Sequence, residues 1–119
     1  MNQADAICSA YAARAQPLPR PRTYERIATY VAANLPLYEA ALRKLEALKP
    51  TAQDRVTVSQ WLAADHRVDS ALRALGDAAL RHDFPAVSAA ALGVQSAGFA
   101  SRQAAIALGL RVCGSFSAR

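Results

Sequence analysis

The chain has 119 residues, and its 14 basic and 9 acidic side chains give it a formal net charge of +5. Hydrophobic residues make up 53% of it and charged residues 19%, a balance that excludes wholesale disorder and favours one domain spanning residues 1–119. With 5 Gly and 6 Pro the chain is not collagen-like, while its 29 Ala residues and its excess of Arg over Lys are typical of a GC-rich coding sequence.

Apolar residues recur at helical spacing nearly throughout, and no stretch alternates with the period of two that a strand requires. The first predicted helix covers residues 3–15. The Pro-rich segment at about residues 17–22 cannot be helical and predicts an extended run, after which Thr23 is a good N-cap.

Three longer helices follow, over residues 24–48, about 52–81 and 84–108. Thr51 and Asp54 resemble a capping box before the third, Asp83 caps the fourth, and Gly109 ends it. In the fourth helix one set of large residues shares a face: Leu92, Phe99, Ile106 and Leu110. Charge nearly vanishes in this helix, so we expect it to lie deepest or to meet a partner, as in a homodimer.

Short links between four helices predict an all-α fold, an up-down-up-down four-helix bundle with a short first helix. The Pro-rich segment would form an extended strap along the length that the first helix does not reach. We expect any groove to lie beside that strap. No stretch of about 20 apolar residues lacks charges, so no transmembrane segment is expected.

The two cysteines, Cys8 and Cys113, lie near opposite ends of the chain and do not form a zinc-binding pattern. A structural disulfide and a pair of buried thiols are the two alternatives. The disulfide is our prediction, because a bond that closes a loop of about 100 residues stabilises a fold by about 4.7 kcal/mol. It implies an extracytoplasmic location, secreted or in the cell envelope, and an exported chain would be made with a leader that this sequence lacks.

Asp65 lies about 30° from the centre of the apolar stripe of the third helix, where a carboxylate needs a donor or a counter-charge. It is either a ligand contact or general base in a pocket, or a structural carboxylate. Asp69 lies one turn on, toward the flank. The candidate partners and ligand-binding residues around Asp65 are Tyr11, Tyr30, Tyr38 and Arg102.

No nucleophile motif, Gly-rich phosphate loop or pair of acids at catalytic spacing is present, so the chain is not expected to be an enzyme or to need a cofactor. His66 is expected at the surface and His82 at a helix end, and no metal site is predicted. One end of the bundle would collect basic residues beside two helix N-termini, as a weak anion site or a solvated basic cap: Arg20, Arg22, Arg26, Arg81 and His82.

Four features together resemble small Ala/Arg-rich exported proteins and lipoproteins of actinobacteria. They are Ile7-Cys8, the Pro-x-Pro segment, Trp61-Leu62-Ala63, and Leu108-Gly109-Leu110-Arg111-Val112-Cys113. The resemblance implies export and a terminal disulfide, and it carries no catalytic residue.

We therefore expect a non-enzymatic, extracytoplasmic helical bundle that acts as a binding or interaction module, with a protein or an anionic envelope component as partner. One alternative is a sensor or carrier that binds a small ligand in a groove beside the strap. The other is a cytoplasmic, basic nucleic-acid-associated protein, which free cysteines would favour. No specific nucleic-acid recognition is expected, because no helix-turn-helix signature is present.

Overall fold

The computed structural model describes residues 2–115, and within them all regular structure is helical. Four α-helices occur in chain order, followed by a short 3-10 helix: α1 (Asn2–Ala15), α2 (Tyr24–Glu46), α3 (Arg55–Leu80), α4 (Phe84–Ala107) and Cys113–Ser115. The predicted all-α class and the four helices are confirmed, and the first helix is the shortest.

The helix ends follow local capping chemistry. The Thr23 hydroxyl accepts a hydrogen bond from Arg26 N at 3.2 Å, and the Asp83 carboxylate accepts one from Ala86 N at 3.1 Å. Helix α3 differs from expectation, because Thr51 Oγ1 accepts from Asp54 N within a separate turn and the helix begins only after it.

Consecutive helices pack against one another, most extensively α3 against α4, then α2 against α3, and α1 against α2. The C-terminal 3-10 helix contacts both α1 and α4. The buried core has two parts. One surrounds Trp61 and joins all four helices and the C-terminal segment, and the other joins Val68 and Leu72 on α3 to α4.

Most of the large residues predicted to share a face of helix α4 lie at the surface. Its side chains of Leu92, Phe99 and Ile106 are exposed, by 65%, 56% and 56%, whereas Leu110 beyond the helix is buried. The buried face of α4 instead consists mostly of small residues: Ala90, Val94, Ala97, Gly98 and Ala105. Small side chains let the α4 backbone approach α3 closely, and this orientation turns the row of large residues toward solvent.

A disulfide joins α1 to the C-terminal segment, near the two ends of the described chain. The Sγ atoms of Cys8 and Cys113 are 2.02 Å apart, which confirms the predicted disulfide. Beside it, the Asp5 carboxylate accepts hydrogen bonds from the backbone N–H groups of Arg111, Val112 and Cys113 at 3.1, 3.0 and 3.2 Å. Burial raises the pKa of Asp5, but these three donors outweigh it and hold that pKa below its ordinary value.

Candidate functional site

A cavity of about 400 Å³ lies between the helices, and all four of them contribute to its lining. Several lining positions carry small side chains where a filled core would have large ones: Ala12, Ala15, Ala41, Gly98 and Ser101. Aromatic and aliphatic residues form much of the rest of the wall, among them Tyr11, Tyr30, Tyr38, Trp61, Leu42 and Val94. The space is therefore a mainly apolar container with few polar groups, the usual character of a small-molecule site.

The segment between α1 and α2 also borders this cavity. Leu18, Arg20 and Pro21 contribute to its lining, as do the cysteines of the disulfide. Residues of the Pro-rich segment therefore form part of the cavity wall, while the extended strap stays a prediction.

Asp65 lies in the wall of this cavity and is only 6% exposed. Its Oδ1 atom accepts a hydrogen bond from the Tyr38 hydroxyl at 3.2 Å and another from the Ser101 hydroxyl at 2.5 Å. These contacts tie together α2, α3 and α4 at one atom. The carboxyl group is thus held in a fixed position by two neutral hydroxyls.

The surroundings of Asp65 favour its neutral form. Burial raises its pKa to about 6, although the hydrogen bonds from Ser101 and Tyr38 act in the opposite direction. Burial also raises the pKa of Tyr38 far above its ordinary value, and the Asp65 carboxylate raises it further. The Tyr38 hydroxyl therefore keeps its proton and acts as a donor.

A second polar pair lies in the same cavity. The Tyr11 hydroxyl donates to Asn34 Oδ1 at 2.7 Å, and burial raises the pKa of Tyr11 to about 12. The rings of Tyr11 and Tyr38 have centroids 5.7 Å apart and planes at 77°, which is an edge-to-face contact.

The residues proposed around Asp65 are brought together by the fold. Tyr38 donates to Asp65, while Tyr11, Tyr30 and Arg102 all line the cavity. The Tyr11 hydroxyl binds Asn34 rather than Asp65, and the Arg102 guanidinium lies 5.9 Å from the centre of the Phe99 ring.

Asn34 and Ser101, whose side chains bind the polar groups of Tyr11 and Asp65 in the cavity wall, were missed in the sequence. Asn34 is buried on the apolar stripe of α2, between Val31 and Tyr38, and a polar residue on such a stripe is a detectable signal. Ser101 gave no such signal, because it lies among small residues on a face of α4 that was not recognised as the buried one.

Asp69 belongs to the flank of α3, as predicted. Arg73 Nε donates to Asp69 Oδ2 at 3.4 Å, and the Arg73 guanidinium also pairs with Glu39 on α2. Burial raises the pKa of Asp69, and the neighbouring Glu39 carboxyl raises it further. This ion cluster links α2 to α3 outside the residues that line the cavity.

The five basic residues assigned to one end of the bundle lie in different settings. Arg20 lines the central cavity, and Arg81 Nε donates to the backbone oxygen of Asp77 at 3.3 Å. The exposed His82 stacks on Tyr24, with ring centroids 4.7 Å apart, and its Nε2 lies 3.3 Å from Glu25 Oε1. His82 is thus beside the first turn of α2, as expected. Arg22 and Arg26 are exposed, and anion binding there stays a prediction.

His66 is exposed, with its Nε2 3.2 Å from Glu46 Oε1. Among residues 2–115, no cluster of His, Cys, Asp or Glu has the arrangement of a metal site. In the same part of the chain, no helix combines the length and the apolar character needed to cross a bilayer.

Comparison with known proteins adds no relative to this geometry. No family model matches the chain, and neither the curated proteins nor the solved structures contain a significant match.

Proposed function

We propose that this protein is an extracytoplasmic binding protein that holds a small, largely apolar ligand in the cavity beside Asp65. The observation that carries the proposal is a 400 Å³ space with apolar walls and a fixed, buried carboxyl group. Such a combination binds a ligand through its apolar surface and orients it through one polar contact. The function is carriage or sensing, without catalysis.

The chain segment before α2 has a natural role in this proposal. Within an up-down-up-down bundle, the Pro-rich run at residues 17–22 would lie along the cavity as an extended strap, and Leu18, Arg20 and Pro21 already line that space. Its prolines limit backbone freedom, so the wall would be held in place without helical hydrogen bonds. Entry of the ligand would then occur next to the strap.

The proposed location rests on the disulfide. The bond between Cys8 and Cys113 is compatible with an oxidising compartment, in line with the exported actinobacterial proteins that the sequence resembles. A nucleic-acid-associated cytoplasmic protein would instead have been favoured by free thiols.

The test is direct binding of a neutral apolar fluorophore, N-phenyl-1-naphthylamine, to the purified protein. Trp61 lines the cavity and is the single tryptophan of the chain, so its emission should change as the dye binds. Ala12→Phe, which places a ring in the cavity, should weaken binding at least tenfold. Ala13→Phe on the exposed side of α1 is the matched control and should bind the dye as the wild type does.

Equal binding by both variants would place the dye elsewhere, and absence of dye binding by the wild type would contradict the cavity proposal. Thermal unfolding of each variant establishes that it is folded before binding is measured.

The exposed row on α4 supports a second candidate function, that of an interaction module. Leu92, Phe99 and Ile106 follow one another at intervals of seven residues, which gives one nearly uncharged face. A homodimer through this face predicts that sedimentation at rising concentration shows a dimer, and that Leu92→Gln with Phe99→Gln returns the protein to a monomer. A wild type that stays monomeric at high concentration would refute this.

A further inference from the structure

The strongest unexplained feature of the cavity is the arrangement of hydrogen bonds on Asp65. Both hydroxyl donors, from Tyr38 and Ser101, bind Oδ1, and among residues 2–115 no group donates to Oδ2. The side chain belongs to a residue that is more than nine-tenths buried and that lines the cavity. The Oδ2 atom of Asp65 can therefore bind a ligand that occupies the cavity.

Aromatic rings stand next to this carboxyl group. Tyr38 touches Asp65 through its hydroxyl, and the Tyr11 ring meets the Tyr38 ring nearly at a right angle. Tyr30 and Trp61 line the same cavity. The faces of such rings carry partial negative charge and attract cations, most strongly where water is excluded.

We propose that the natural ligand of the cavity is an organic ammonium ion with apolar substituents, whose nitrogen lies against Asp65 beside the rings of Tyr11 and Tyr38. This proposal rests on the proposed function and names the chemical class of its ligand. The ammonium supplies a counter-charge to Asp65, and the apolar substituents fill the space bordered by Leu42, Val94 and Trp61.

An anionic amphiphile is the competing occupant, since Arg20 and Arg102 also line the cavity. The burial of the charged side chains favours the cation over the anion. Arg20 is exposed, whereas Asp65 is buried, and an anion bound at the arginines would leave the carboxyl group without a counter-charge. A buried charge without a partner is strongly unfavourable, so the cation satisfies more of the site than the anion does.

Binding of a permanent cation should depend on pH through Asp65. The titratable and charged groups around the cavity are Tyr11 on α1, Arg20 in the linker, Tyr30 and Tyr38 on α2, His66 beside Asp65 on α3, and Arg102 on α4. Burial raises the pKa of all three tyrosines above the ordinary range. Asp65, with its pKa raised to about 6, changes charge between pH 5 and 7.5.

Calorimetric titration with benzyltrimethylammonium tests the proposal, because this cation has no titratable group. The affinity should rise about tenfold between pH 5 and pH 7.5, as Asp65 ionises. Two further probes of similar size give the comparison: neopentylbenzene, in which carbon replaces the charged nitrogen, and 3-phenylpropionate, an anion. Both should bind more weakly than the cation at pH 7.5.

Asp65→Asn should weaken cation binding at least tenfold at pH 7.5 and remove its pH dependence. Asp77→Asn, on the exposed side of the same helix, makes the same change in net charge and should leave the affinity within about twofold. Thermal unfolding of Asp65→Asn establishes that the variant is folded before its affinity for the cation is measured.

Tighter binding of 3-phenylpropionate than of the cation would overturn the proposal in favour of an acidic ligand. Equal, pH-independent binding of neopentylbenzene and the cation would overturn it in favour of a neutral ligand. If the neutral dye binds but none of the three probes does, the cavity function stands and the ammonium proposal fails. If the dye does not bind either, both fail.

Discussion

Asp65 places a carboxyl group where the fold alone has little use for a charge. Its pKa is raised to about 6, so ionisation above that pH opposes folding, because the unfolded chain ionises the same group near its ordinary value of 3.8. The contribution of Asp65 to stability is therefore best at low pH, where it is neutral in both states. It becomes steadily less favourable as pH rises from about 4 to about 6.

Replacement of Asp65 by Asn should stabilise the protein at neutral pH. An amide keeps an acceptor for the hydroxyls of Tyr38 and Ser101 and carries no charge, so the free energy of unfolding at pH 7.5 should rise by about 2–3 kcal/mol. The gain should shrink below pH 6 and vanish near pH 4. Guanidinium unfolding of wild type and variant at several pH values measures it.

A gain that does not change with pH would mean that Asp65 keeps an ordinary pKa. Asp77→Asn on the exposed side of α3 is the control and should leave the free energy of unfolding within about 0.5 kcal/mol at every pH.

At the scale of helices, the local signals were reliable and the orientation signals were not. The caps at Thr23 and Asp83 depend on chemistry within four residues, and both form as expected. The row of Leu92, Phe99 and Ile106 was also real, but periodicity identifies a face without showing what covers it. In α4 the small residues pack against α3 and the large ones face solvent, because small side chains let the two backbones approach more closely.

Two helical glycines test how closely neighbouring helices pack, Gly76 between α3 and α2 and Gly93 between α4 and α3. A Cβ atom added at Gly76 on α3 would lie 2.9 Å from Val31 Cγ1, whereas one added at Gly93 on α4 would lie 3.4 Å from Ala71 Cβ, an ordinary contact. Alanine favours helix over glycine by about 1 kcal/mol. Gly93→Ala should therefore stabilise the protein by about 0.5–1 kcal/mol.

Gly76→Ala should instead destabilise it by about 1 kcal/mol, since overpacking against buried Val31 exceeds the helix gain. The midpoints of chemical unfolding for the two variants should move in opposite directions. If the unfolding midpoints of both variants move to higher denaturant concentration, the Val31 side chain can shift enough to accept the added methyl group, and the prediction for Gly76 is wrong.

For the whole molecule, the disulfide was predictable and the cavity only partly so. Two cysteines near opposite ends of a short chain have few other uses, and Asp65 on an apolar stripe pointed to a polar spot inside the bundle. The cavity itself arises from small side chains on α1, α2 and α4 that meet only after folding. Asp5, which binds the backbone of residues 111–113, gave no signal because its partners are backbone groups more than a hundred residues away.

Loss of the disulfide should weaken the whole fold. Cys8→Ser with Cys113→Ser should lower the free energy of unfolding by about 4–5 kcal/mol, because the unfolded chain regains the freedom of a loop of about 100 residues. Reductant should shift the unfolding midpoint of the wild type by a similar amount and leave the double variant unchanged. If reductant leaves the unfolding midpoint of the wild type unchanged, the disulfide does not stabilise the fold and the prediction is wrong.

The contact between α1 and the C-terminal segment also sets an order of folding events. Helices α2, α3 and α4 pack against their neighbours in the chain, so these contacts close short loops and form early. The Cys8–Cys113 bond and the Asp5 contacts instead join residues more than a hundred positions apart. We therefore expect the contact between α1 and the C-terminal segment to form last, after the helices, α1 on α2 included, have packed against their neighbours in the chain.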